Sequence, residues 1–279
     1  MIREETVFGP IFSRRLGSSL GINLLPEKGK ICNFDCIYCE CGWNRDGRND
    51  TVLPTAEKVR GDLERKLKEI ENGKWKIENS AGASNNSQVS ILNSQFTKVD
   101  SITFSGDGEP TLNPEFPQII DDTLRLRDLY YPQAKVSVLS NATRVHIPEV
   151  FNALRKVDNP IMKIDAPTNE LIEKINMPAP GYDLHRVIEA LKRFEGNFVL
   201  QTCMLKGNGF DSSSPEVVGP MMDIVRLLRP REWMVYTIDR ATPMQGLQKF
   251  TPQEMKALVQ PIIDEGFTKV QIKGAVEDC

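Results

Sequence analysis

The run Ile31-Cys-Asn-Phe-Asp-Cys-Ile-Tyr-Cys-Glu40 puts three thiols, Cys32, Cys36 and Cys39, on one short loop. Three residues and then two separate them, so the loop can aim all three at a single centre and leave a fourth coordination position to another partner. Soft, anionic thiolates in that spacing are the arrangement expected of an iron–sulfur cluster with one iron left open for chemistry. Just before the loop, Leu20–Leu25 reads as a strand, so the thiols follow a strand end.

Outward from this point the chain alternates short β-rich runs with helical patterns. Strands are expected at Ser101–Ser105, Val136–Ser140, Ile161–Asp165, Phe198–Leu205 and Trp233–Ile238, with a seventh at Lys269–Lys273. Helices are expected near Thr55–Glu71, Pro117–Leu129, Pro148–Val157, Asn169–Ile175, Leu184–Phe194, Pro215–Leu228 and Pro252–Glu265. Repeated βα units need right-handed crossovers and a mostly parallel sheet. Six main units predict an α/β fold, a partial (βα)6 TIM-like barrel with parallel strands, built as a single domain over 1–279. Its core spans about 8–245, with a βα extension over 246–279. The stretch of about 75–97, with Ala-Gly-Ala-Ser-Asn-Asn-Ser inside it, has no sustained period and reads as a polar surface insertion.

Composition narrows the function classes. The chain has 279 residues, 40% of them apolar and 26% charged, enough for a full core without staples. Of its six cysteines, four lie between Cys32 and Cys41, which suggests metal chemistry in a reducing compartment rather than a disulfide framework. The N-terminus lacks the apolar core of a signal peptide and no stretch is apolar enough to span a bilayer, so the cytoplasm is expected and no membrane partner. A net charge of −3 exerts no global pull on nucleic acid. Arg14-Arg15 and the basic residues of 58–68 are local contacts at most, and strong non-specific nucleic-acid binding is not expected.

In parallel barrels, function gathers where strands finish. The unusual residues of this chain fall there: the cysteine loop after the first predicted strand, Ser105-Gly-Asp-Gly-Glu-Pro110 after the second, Ser140-Asn141 at the third, and Lys163-Ile-Asp165 on the fourth. The cysteine spacing, the aromatic Tyr38 just before the third cysteine and the glycine-glutamate loop resemble the radical S-adenosylmethionine (radical SAM) superfamily. Ser13-Arg-Arg-Leu-Gly17, Phe104-Ser-Gly-Asp-Gly-Glu-Pro-Thr-Leu112 and Tyr236-Thr-Ile-Asp-Arg240 resemble single-domain members related to the wyosine-tRNA enzymes, over roughly 8–245.

The resemblance implies that Cys32, Cys36 and Cys39 each bind one iron of a [4Fe-4S] cluster, with S-adenosylmethionine chelating the fourth. An electron from an external donor of the flavodoxin or ferredoxin type then cleaves the sulfonium to methionine and a 5′-deoxyadenosyl radical, which abstracts hydrogen from a substrate. It assigns Gly106, Asp107, Gly108 and Glu109 to the cofactor's ammonium, although the family's usual Gly-Gly-Glu is here interrupted by Asp107, and an ordinary strand-to-helix turn is the rival reading. Ser140, Asn141, Lys163 and Asp165 are implied at the ribose and carboxylate, against a purely structural buried Lys–Asp pair. Strand parity puts Lys163 and Asp165 on the interior face and Met162 and Ile164 toward the helices. Tyr38 is placed near the adenine or as a loop anchor, and Gln201 reaches the cofactor or bonds the backbone. Cys203 shares the face of Gln201, as a hydrogen-atom donor or a small apolar filler. Thr237, Asp239 and Arg240 line a substrate chamber, with a rim ion pair between Asp239 and Arg240 as the rival reading, and His146 and His185 are structural.

Two other functions fit parts of the pattern. Cys32, Cys36, Cys39 and Cys41 could form a zinc knot in an RNA-binding module. A glycyl-radical activating enzyme would share the cofactors but need a protein partner. The substrate class, whether small molecule, peptide or protein, or RNA base, is open. No cysteine precedes Cys32 for a second cluster and no flavodoxin-like domain is attached, so wyosine synthesis itself is not the expected reaction.

Overall fold

The computed structural model describes residues 5–13, 17–46, 50–73 and 98–274. The Arg14-Arg15 pair and the insertion of about 75–97 lie outside the described residues. The strands are β1 (Val7–Ser13), β2 (Gly17–Ile22), β3 (Ser101–Phe104), β4 (Lys135–Ser140), β5 (Asn159–Lys163), β6 (Val199–Gly207), β7 (Phe210–Asp211), β8 (Glu232–Thr237), β9 (Gln248–Lys249) and β10 (Lys269–Lys273). The helices are α1 (Ala56–Glu71), α2 (Phe116–Tyr130), α3 (Pro148–Lys156), α4 (Asn169–Ile175), α5 (Leu184–Lys192), α6 (Pro215–Leu228) and α7 (Pro252–Glu265).

The sheet runs β1-β2-β3-β4-β5-β6-β8-β10. From β2 to β10 every neighbouring pair is parallel, with helical crossovers between, so the sheet is the expected curved, open barrel. Three strands add to the sequence reading. The two-residue β7 and β9 pair antiparallel with the far end of β6. At the other edge β1 pairs antiparallel with β2, with a register shift between Phe8 and Ile11. Gly9-Pro10 disguised this strand, because proline cannot donate to a ladder and is tolerated only at an edge or a bulge.

Local chemistry explains where the helices start and which face they bury. In α1, Ala56, Val59, Leu63, Leu67 and Ile70 are buried at helical spacing, and the Thr55 hydroxyl caps the N-terminus by accepting from Lys58 N at 3.2 Å. Each fully buried leucine of that stripe contributes about 1.5–3 kcal/mol. In α7, Thr251 and Glu254 form a reciprocal capping box, and Gly266, at φ 68°, ends the helix in the left-handed conformation.

Strand parity divides two cores. Met162, Ile164, Leu200 and Val235 belong to the large cluster between sheet and helices. On the other face, Ile161, Val199 and Met234, with Leu139 against them, form a small apolar layer inside the barrel. Above it the register brings Lys163 beside Gln201 on β5 and β6, then Cys203 beside Tyr236 on β6 and β8. The barrel interior thus has an apolar layer on β4, β5, β6 and β8 beneath the polar C-terminal strand ends, while Ser19, Ser101, Thr103, Ser137 and Asn159 make a second polar, hydrogen-bonded group on the interior face.

Candidate functional site

The C-terminal strand ends enclose a cavity of about 450 Å³, whose lining includes Cys32, Cys36, Cys39, Gly106, Glu109 and Asn141. Four features of the fold build it.

First, the cysteine loop is pinned at its entrance. Ile31 N donates to Asp107 O at 3.2 Å and Ile31 O accepts from Glu109 N at 3.1 Å, a parallel bridge immediately before Cys32. A Cβ on Gly108 (φ +141°) would stand 1.9 Å from that Ile31 oxygen, and one on Gly106 would stand 2.0 Å from Asn23 Oδ1. Gly108 is therefore demanded by packing against the loop and Gly106 by packing against Asn23, whatever they offer a ligand. Second, the residues after α4 run antiparallel beside the loop. Asp35 N and Ile37 N donate to Asn176 O and Ile175 O at 2.9 and 3.0 Å, and Ala179 N donates to Asn33 O at 2.8 Å.

Third, Glu109 is locked. It is 2% exposed, and its carboxylate accepts from Thr111 N, Thr111 Oγ1 and Ser140 Oγ at 3.1, 2.6 and 2.8 Å and from Asn141 N at 2.7 Å. Burial raises its pKa despite those four donors. The carboxylate ties the loop after β3 to the end of β4. Fourth, Lys163 sits between two phenols. Its ammonium donates to Tyr38 Oη at 3.2 Å and to Tyr236 Oη, and lies 3.8 Å from Asp165 Oδ2. Burial alone would push Lys163 down, but Asp165 and Tyr236 hold it well above its usual value. Asp165 in turn accepts from the Tyr38 hydroxyl, from Asn176 Nδ2 at 2.8 Å and from Cys203 N at 2.8 Å.

The structure sorts the residues singled out from sequence. Tyr38, Gly106, Gly108, Glu109, Ser140, Asn141, Lys163, Gln201, Thr237, Asp239 and Arg240 line the cavity with the three cysteines. Asp107, Asp165 and Cys203 lie behind its wall, at 1%, 2% and 0% exposure, where they support the lining. The Thr237 hydroxyl is spent on Met204 O at 2.7 Å and Phe250 N at 3.0 Å. Arg240 pairs with Glu40 at 2.9 Å across the mouth. His185 is exposed beside Glu189. Sequence reasoning missed Lys30, Asn176 and Tyr236 as individual residues. Tyr236 opens a motif it did quote, whereas nothing local distinguishes Asn176, just past a helix end.

The thiols differ in character. Burial pushes Cys36 up to about 11 and Cys32 higher still, so both are protonated at neutral pH unless a cation holds them as thiolates. Cys39 is lowered to about 6, first by the hydrogen bond from Cys41 and then by the Lys30 ammonium, while Cys41 is raised in return. Among the described residues no group of three or more His, Cys, Asp and Glu side chains is gathered that could hold a metal ion. Three cavity-lining sulfurs, two of them with N–H donors aimed at them, fit the soft, multi-iron group. No helix of the described residues is long and apolar enough to cross a membrane.

Comparison with known proteins agrees with this geometry. Residues 91–211 match the model of the radical SAM superfamily. A UPF0026 protein of Methanocaldococcus jannaschii is 30% identical over 276 residues, covering 97% of this chain and 75% of its own length. Among solved structures, TYW1 with a lysine-pyruvate adduct bound superposes with a TM-score of 0.62 at 13% identity, covering 89% of this chain and 73% of that one. Streptococcus suis SuiB bound to S-adenosylmethionine superposes at 0.59 and 16% identity, covering 93% of this chain and half (50%) of that one. With the shared open α/β barrel and the family match, this chain belongs to the radical SAM superfamily, among the UPF0026 proteins.

Proposed function

We propose that this chain holds a [4Fe-4S] cluster on Cys32, Cys36 and Cys39 and uses it to cleave S-adenosylmethionine reductively, giving a 5′-deoxyadenosyl radical that abstracts hydrogen from a substrate. The superfamily implies both cofactors. The single observation that carries the reading is that three thiols and the residues of five separate strand ends, from Glu109 to Tyr236, line one cavity.

The protein's own contribution is binding, orientation and exclusion of water. The loop 31–39 is held from both sides by protein contacts, at Gly108 and along the 175–179 segment. Glu109 fixes the ends of β3 and β4 relative to each other. Lys163 presents a fixed cation, and Gln201 presents a 7%-exposed amide with no side-chain hydrogen bond to the described residues. Beneath them Leu139, Ile161, Val199 and Met234 form an apolar floor. Glu40, Asp239, Arg240 and Lys273 form a charged mouth that admits the substrate, a small molecule, a peptide or protein side chain, or an RNA base. The reaction is an oxidoreduction or a substrate modification in the cytoplasm, driven by an external flavodoxin- or ferredoxin-type electron donor.

The test is anaerobic reconstitution with iron and sulfide, then reduction with S-adenosylmethionine present. A brown protein that produces 5′-deoxyadenosine is expected, and Cys36→Ala should abolish the product. Protein that carries zinc at these sulfurs and resists iron loading, or a Cys36→Ala variant with intact turnover, sinks the reading.

A further inference from the structure

Two of the three sulfurs have a hydrogen-bond donor from outside the 32–39 run, and a lysine ammonium shares the cavity with the third. Cys32 accepts from Phe34 N at 3.4 Å, within its own loop, and from Asn141 Nδ2 at 3.7 Å, at the end of β4. Cys36 accepts from Asn176 Nδ2 at 3.3 Å, just past α4. Cys39 has no such amide donor among the described residues, but the Lys30 ammonium lines the same cavity. These groups are themselves buried, with Asn176 1%, Lys30 6% and Asn141 7% exposed.

Each of these groups is also oriented by other contacts. Asn141 Nδ2 donates to Asn33 Oδ1 at 2.7 Å, and its Oδ1 accepts from Thr143 N and Oγ1 at 3.1 and 2.7 Å. The Asn176 amide reaches Asp165 Oδ2 at 2.8 Å and Tyr38 Oη at 3.0 Å as well as the sulfur. Lys30 Nζ donates to Gly42 O at 2.5 Å and stands 3.6 Å from Asp35 Oδ1. Asp35 accepts from Asn44 N at 2.7 Å, and Asn44 Nδ2 donates to Cys32 O and Phe34 O at 3.1 and 2.9 Å. Lys30 therefore belongs to a clamp that closes the loop on itself.

Reduction adds an electron to a cage that is already anionic. An N–H dipole or an ammonium aimed at a ligand sulfur stabilises the added charge, and the low dielectric of a buried site strengthens the effect. Hydrogen bonds to the sulfurs are one of the levers by which a protein sets such a potential. Two amide donors, one to each of two sulfurs, and a buried ammonium on the same cavity all act in the same direction.

Resting on the cluster assignment above, we propose that Asn141 and Asn176 are positioning residues that each orient one ligand sulfur, and that together with the charge of the Lys30 ammonium they raise the cluster's reduction potential, which is thus set from outside the cysteine motif. Removing any one of them makes the cluster harder to reduce.

The test uses the full chain, reconstituted anaerobically without S-adenosylmethionine, with iron content and midpoint potential read by a redox titration followed by electron paramagnetic resonance. Asn176→Leu and Lys30→Met are each expected to disfavour reduction about tenfold, about 59 mV for one electron, whereas Lys30→Arg, which keeps a cation and donors, stays near the wild-type potential. Variants that hold full iron at the wild-type potential overturn the proposal while leaving the cluster intact. If Asn176→Leu fails to load, the Lys30 pair decides. A Lys30→Met chain that shifts, or that loads no iron although Lys30→Arg does, supports the role. Equal behaviour of Lys30→Met and Lys30→Arg refutes it. A wild-type chain that takes up no cluster removes the underlying assignment and this one with it.

Discussion

Gly108 and Ile31 approach so closely that a single methyl group cannot be placed between them: a Cβ on Gly108 would lie 1.9 Å from the Ile31 carbonyl oxygen. This contact joins the loop after β3 to the residue before Cys32. Gly108→Ala should therefore displace the cysteine loop and cost more than about 1 kcal/mol, since φ +141° is also unfavourable to a side chain. Gly61→Ala is the control, because nothing lies within 4 Å of a Cβ there and α1 should gain up to about 1 kcal/mol. Thermal unfolding of the two variants should move in opposite directions, and only Gly108→Ala should lose iron loading.

Glu109→Gln replaces one carboxylate oxygen by an amide that cannot accept. Whichever way the amide is turned, the Asn141 N–H or the Thr111 and Ser140 donors lose a partner. A loss of about 1–3 kcal/mol in denaturant unfolding is expected for an unsatisfied buried donor. A stability equal to wild type would show that the carboxylate is not the tie between β3 and β4.

Cys41 neighbours the proposed ligands without being one. Cys41→Ser should retain about four irons per chain, while Cys39→Ser should lose cluster loading. Iron and sulfide analysis distinguishes them, and loss of iron in Cys41→Ser would make Cys41 a ligand.

At the opposite end of the sheet, Asp158 accepts from Arg127 Nη1 at 2.8 Å, Lys135 Nζ at 3.0 Å and Val136 N at 3.0 Å. Partial burial pushes its carboxyl up, but the Val136 N–H and the two cations outweigh it and hold the pKa below the usual carboxylate range. A depressed folded-state pKa contributes stability that is present above the unfolded value of about 3.9 and is lost as pH falls through the folded value. Asp158→Asn should therefore be less stable than wild type at pH 7, by about 1 kcal/mol once solvent screening is allowed for. The difference should shrink as pH falls below about 4, which denaturation at pH 7 and pH 3 would measure. A constant gap would mean that charge is not the source.

The Arg240–Glu40 pair shows why contact alone does not settle importance. Its side chains are 75% and 45% exposed, so Arg240→Ala should change unfolding stability by less than about 1 kcal/mol. An effect on substrate turnover without one on stability would place Arg240 at the substrate mouth.

Local chemistry in the chain determined much of this protein. The alternation of short β runs with capped amphipathic helices specified the parallel open barrel, because side-chain periodicity and capping are local properties. The spacing of Cys32, Cys36 and Cys39 and the parity of Lys163 and Asp165 were legible for the same reason. The edge strand β1 was hidden by Pro10, whose cost depends on which side of the strand faces a neighbour. Tertiary structure alone decided which residues reach the cavity and which stand behind it: Asp165 is as interior as Lys163 by parity, yet it turns to Tyr38, Asn176 and the Cys203 N–H. It alone brought Asn176 to Cys36 across 140 positions. Hydrogen bonds between strand ends are set by how distant crossovers pack, and no short window of sequence carries that information.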